Sequence, residues 1–189
     1  ISHQPARLLP TIRSRCRVLR MAPLSPDALA QALAQADVAP ENAEALSALS
    51  GGSAGDALRV IAEAGITLYA QLIALLGTCP QIDRSAIASL AEKATARGAE
   101  ARLDLLVRLL DLALTRLART GAGHPPTPEA CAGEAEIMTR LAPDATSAKN
   151  WAALQQELGS RIGHGRAVNI DPQSLLMDAF LRIAETTRG

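Results

Sequence analysis

Along most of this chain apolar residues recur every three or four positions, the period of a helix that buries one face. In PLSPDALAQALAQA, Ser25 is placed to cap a helix, Pro26 suits its first turn and Asp27 complements its dipole. Leu29, Leu33 and Ala36 then define its inner face. A second short helix is expected over about 41–50, with Ala45, Leu46 and Leu49 inward. In GGSAGDALRVIAEAG, Gly51 and Gly52 end that helix, Ser53 caps a third, and Ala57, Leu58 and Ile61 read as its buried side. These three helices predict a small bundle over about 23–64.

Beyond Gly65 the periodic segments lengthen. ITLYAQLIALLG reads as one helix, and another starts at Asp83 or Ser85 and ends near Gly98. From Ala99 to Arg119 the pattern is strongest. Leu103, Leu106, Val107, Leu110, Leu114 and Leu117 fall at helical spacing, Leu105, Leu109 and Leu112 widen the face, and Asp104, Arg108, Asp111 and Thr115 form a narrow polar stripe. A helix apolar over more than half its circumference belongs at the centre of a bundle. TGAGHPPTPEA is the clearest loop. Trp151, Leu154, Leu158 and Ile162 mark a further helix with Ser147 as its cap. Asp171-Pro172 opens the last one, with Leu175, Leu176, Ala179, Phe180 and Ile183 inward.

Composition agrees with an all-α fold. Hydrophobic residues make up 48% of 189, charged residues 20%, and there is one each of Trp, Tyr and Phe. Ala and Leu, the strongest helix formers, supply the apolar material, and the β-branched and aromatic clusters of a large sheet are missing. Net charge is zero, yet Arg7, Arg13, Arg15, Arg17 and Arg20 all fall in the first twenty positions with no acid among them. The positive charge is local, which argues against a general polyanion binder. Three separated cysteines without C-x-x-C fit a reducing cytosol, and hence a cytoplasmic protein, better than a disulfide frame or a zinc site. No run approaches eighteen apolar residues, so no membrane span is expected. The opening residues do not read as a secretory leader and look like part of a longer chain.

Several chemistries find no motif. Neither Lys93 nor Lys149 follows a glycine, so there is no G-x-x-x-x-G-K phosphate loop. His3, His124 and His164 lack metal-ligand spacing, and no G-x-S-x-G elbow is present. Three aromatics are too few for a base-stacking platform. No enzyme site, cofactor site or metal site is composed within these residues alone.

Two segments stand out. In LLPTIRSRCRVLR, Pro10 reads as a helix stop, and the alternation Ile12, Ser14, Cys16, Val18 is strand-like, which would place Arg13, Arg15 and Arg17 on the opposite side. A guanidinium on a rigid element suits phosphate oxygens, and it equally suits a neighbouring carboxylate. LLPTIRSRC, followed by LSPDALAQAL and GGSAGDALRV, resembles the AAA+ subunits of clamp loaders, in which Ser-Arg-Cys is a signature. ISHQPARLLPTIRSRCR and the ending NIDPQSLLMDAFLRIAE are most similar to the delta-prime class of bacterial DNA polymerase III. The middle, about 66–165, is similar only in being helical and of the right length.

The resemblance implies an arrangement and a role. Residues 1–22 would be a remnant of the α/β AAA+ core carrying the motif, 23–64 a three-helix lid and 66–189 a helical collar for oligomerisation. Arg15 would be an arginine finger that reaches ATP on a neighbouring subunit, with Ser14 and Cys16 as motif support. Gly52, Ser53, Gly55 and Asp56 would form a degenerate nucleotide-sensor segment, because Gly55 stands where ATP-binding relatives carry an arginine. Implied partners are the gamma/tau ATPase subunits, the delta subunit and, through the complex, the sliding clamp and primer–template DNA. No cofactor and no membrane partner are implied for this chain. Two alternatives stay open: a helical adaptor with no part in hydrolysis, and a fragment of an active gamma/tau-like ATPase subunit, against which Gly55 counts. A helix-turn-helix DNA binder is weaker, since Arg59 is the only base on the second and third helices.

Overall fold

The computed structural model describes residues 8–17, 19 and 21–188, with the side chain of Arg13 outside that set. The expectations placed on His3, Arg7, Val18 and Arg20 therefore lie outside the described residues. Among the described residues the fold is all-helical, with ten helices and no strand.

The first helix corrects the reading of the opening segment. α1 spans Pro10–Arg13, where the alternation predicts a strand and Pro10 reads as a stop. Pro10 instead occupies the first helical turn, where its fixed φ fits and its missing N–H would have had no partner. The Ser14 N–H donates to the Pro10 carbonyl at 2.9 Å, and the Ser14 hydroxyl donates to the Thr11 carbonyl at 3.2 Å. These local bonds satisfy the backbone with no neighbouring strand, which an extended segment would need.

α2 (Pro26–Ala34), α3 (Ala43–Ser50) and α4 (Ala54–Ala62) pack against one another as a three-helix unit. Each begins at a side-chain cap: Ser25, Asn42 and Ser53 accept from the N–H groups of Ala28, Ala45 and Asp56. Between α3 and α4 the chain turns through Gly51 and Gly52, both at positive φ. Gly52 is buried, and a Cβ there would come within 2.6 Å of the Leu24 carbonyl oxygen and 2.7 Å of its nitrogen. That close approach lets the Leu24 N–H donate to the Gly52 carbonyl at 3.0 Å, tying the lead-in of α2 to the α3–α4 turn. Two inner faces differ from expectation. Ala36 is exposed because α2 ends before it. In α4 the core takes Ala57 and Val60, while Leu58 and Ile61 remain 40% and 39% exposed. Gly55, Asp56 and Arg59 share one side of this helix and the apolar residues the other, and the core takes the Ala57–Val60 flank of that apolar arc while the Leu58–Ile61 part stays open.

After a left-handed Ala64, α5 (Gly65–Gly77) leaves α4 at 76°. α6 (Arg84–Thr95) starts at Asp83, and α7 (Glu100–Gly121) is the central helix, packed against α5, α6, α8 and α9. Of the nine residues of the apolar band, Leu105, Leu106, Leu109, Leu110, Leu114 and Leu117 are buried, and Leu103, Val107 and Leu112 are half-buried at its margin. α8 (Glu134–Leu141), α9 (Ala145–Ala167) and α10 (Pro172–Thr186) complete the body. α8 has no counterpart in the sequence reading. The cap of α9 is Asp144, with Ser147 three positions on closing a capping box, so Ser147 is the reciprocal partner and not the cap. One contiguous apolar cluster runs from Leu29 to Ile183 and joins α2–α4 to the helices that follow. Among the described residues no single helix is long and apolar enough to cross a membrane.

The glycines at 52 and 55 separate strain from freedom. Gly52→Ala is expected to cost more than about 1 kcal/mol, since it adds a Cβ at positive φ against backbone atoms. Gly55, in the first turn of α4, has nothing within 4 Å of the point where a Cβ would stand, so Gly55→Ala should gain about 0.5 kcal/mol by restricting the unfolded chain. Urea unfolding of both variants checks the opposite signs.

Candidate functional site

Ser14, Arg15 and Cys16 lie on the turn that ends α1, and all three are exposed. The Arg15 N–H donates to the Ile12 carbonyl at 3.1 Å, which fixes the backbone of the turn. No carboxylate pairs with the Arg15 guanidinium among the described residues, so its planar set of donors faces water. Exposed apolar side chains flank it: Leu9, Ile12, Leu19 and Met21, the last two 83% and 87% accessible.

The second candidate segment divides its residues between structure and open surface. Gly52 makes the close approach to Leu24, and Ser53 caps α4. Gly55 faces solvent, so packing does not forbid a longer side chain there. Asp56 is paired through one carboxylate oxygen. Its Oδ1 accepts from Arg108 of α7 at 2.9 Å and from Arg59 at 3.0 Å. The Arg108 hydrogen bond, with the charges of Arg108 and Arg59, holds the Asp56 carboxyl below its ordinary value of 3.8 despite partial burial. Arg59 is therefore committed to Asp56, one turn beyond Gly55. No hydrogen bond or ion pair joins Ser14–Cys16 to Gly52–Asp56 among the described residues.

A buried polar cluster, unforeseen from the sequence, lies elsewhere. Glu134, at the start of α8, is fully buried. Its Oε1 accepts from the Tyr69 hydroxyl at 2.5 Å and from Arg116 at 2.6 Å, and its Oε2 accepts from the Ala130 N–H at 2.7 Å. Arg116 also donates to the Ala48 carbonyl at 3.1 Å and stands 5.8 Å from the centre of the Tyr69 ring. Burial first, then the Glu134 charge, push the Tyr69 hydroxyl well above its ordinary value, so it remains a neutral donor. Both carboxylate oxygens here are taken by protein, leaving no place for a substrate. The sequence signal is slight: Arg116 is one of several charged residues in a leucine-rich helix, and Glu134 lies past the loop that ends at Ala130, in a stretch without a periodic pattern.

Among the described residues no group of three or more His, Cys, Asp or Glu could hold a metal ion. Two crevices, of about 530 and 590 Å³, run along α7 and meet at Leu105, Val107, Arg108 and Arg166, and neither is lined by Ser14, Arg15 or Cys16. His124 and His164 are exposed, and neither belongs to a group that could hold a metal ion. Cys16, Cys79 and Cys131 are free thiols. Burial, with the nearby charges of Glu134 and Glu129, pushes the Cys131 thiol up to about 11.

Compared with family models, with curated proteins and with solved structures, the chain matches none.

Three outcomes follow from this geometry. Arg116→Ala strands a buried carboxylate and should cost about 3–5 kcal/mol, whereas Arg116→Met with Glu134→Leu should cost clearly less, a non-additivity read by denaturant unfolding. Because the Asp56 carboxyl titrates lower folded than unfolded, its contribution is complete above about pH 4 and lost as pH falls through the lowered value. The capping carboxylates Asp83, Asp144 and Asp171 act in the same direction, so Asp56→Asn should flatten only part of the acid limb of a stability–pH curve. At pH 8 an aromatic disulfide reagent should modify Cys16 rapidly, half-buried Cys131 slowly, and buried Cys79 only as the chain unfolds.

Proposed function

We propose that this chain is the C-terminal part of a clamp-loader subunit of the delta-prime class, which does not itself bind ATP and which serves DNA polymerase III in loading the sliding clamp. The carrying observation is the exposed turn that presents Arg15, unpaired among the described residues, immediately ahead of a three-helix unit. In this reading α2–α4 is the AAA+ lid and α5–α10 the collar that assembles with the gamma/tau and delta subunits. The turn at 14–16 belongs to the end of the AAA+ core.

Arg15 would act in trans. Its guanidinium donates to the γ-phosphate oxygens of ATP held by the neighbouring subunit and stabilises the charge that gathers there during transfer. Such fingers contribute on the order of 10³–10⁵ in rate in other NTPases. Gly55 supports a subunit that reads no nucleotide of its own, because the place of the sensor side chain is open and holds no group that could reach a phosphate. Arg59 stands one turn further along α4, where it pairs with Asp56. The exposed apolar side chains of Leu9, Ile12, Leu19 and Met21 also fit a domain packed against the segment that precedes α2.

The test uses the complete subunit reconstituted with its ATPase and delta partners. Arg15→Ala should leave assembly by size exclusion unchanged and lower DNA-stimulated ATP hydrolysis at least tenfold, about 1.4 kcal/mol or more. Unchanged hydrolysis in an intact assembly would make Arg15 an ordinary seam residue and the chain a helical adaptor.

A further inference from the structure

We draw no further inference here: the strongest candidate, the crevice of about 530 Å³ along α7 between the α3–α4 edge and α9, carries nothing, because its rim arginines Arg108 and Arg166 are already paired with Asp56 and Asp104 and nothing in the structure shows what covers it.

Discussion

The carboxylate of Glu134 sits in the interior with no access to water, and the arrangement around it depends on that charge being met. An isolated buried carboxylate would be untenable, so Arg116, Tyr69 and the Ala130 N–H must all be in place together. Those partners come from α7, α5 and the loop before α8, and Arg116 reaches on to the Ala48 carbonyl near the end of α3. The Ala48 carbonyl is among the last four of α3, which lack partners within the helix, so the arginine closes an open helix end while it neutralises the acid. One cluster thus ties α3, α5 and α8 to α7.

α7 repeats this use of arginine. Arg102 donates to the Glu63 carbonyl just past the end of α4, and Arg108 pairs with Asp56 in the first turn of the same helix. α4 is held at both ends from one side, and α3 at its C-terminal end. The contiguous apolar cluster joins these helices, with a contribution that scales with buried area. The arginines supply direction: a leucine tolerates sliding along its neighbour, whereas a guanidinium on a particular carbonyl does not. The polar stripe of α7 therefore has a structural use at Arg108, where amphipathicity alone would assign it to solvent.

The candidate arginine stands apart from this machinery. Arg15 lies on a turn held by local hydrogen bonds, outside the contiguous core, with apolar neighbours open to water. A side chain that contributes nothing visible to its own fold is free to serve another molecule, and an exposed guanidinium keeps its charge at any working pH. The contrast with Arg102, Arg108 and Arg116, each engaged by the body of the protein, is what distinguishes it. The segment Gly52–Asp56 shows a comparable division. Gly52 is required by backbone packing, whereas a side chain at position 55 would meet no steric obstacle.

The helices legible in the sequence are those whose signals are local. Caps at Ser25, Ser53, Asp83 and Asp171 are chosen by bonds spanning two or three residues, and the leucine band of α7 declares a central helix by its breadth. The Ser-Arg-Cys turn also stands apart in the sequence by its charge. What depends on distant partners is settled only in the folded chain. α8 is eight residues long, lacks a side-chain cap and buries only Glu134 and Met138, so no periodic signal marks it. Its first residue is inward because Arg116, eighteen positions away, and Tyr69, sixty-five away, meet it there. The same holds for α4, where Ala57 and Val60 turn inward and Leu58 and Ile61 outward. The apolar arc of this nine-residue helix is wider than the face the core takes, so which flank turns inward is set by contacts that exist only once the chain has folded.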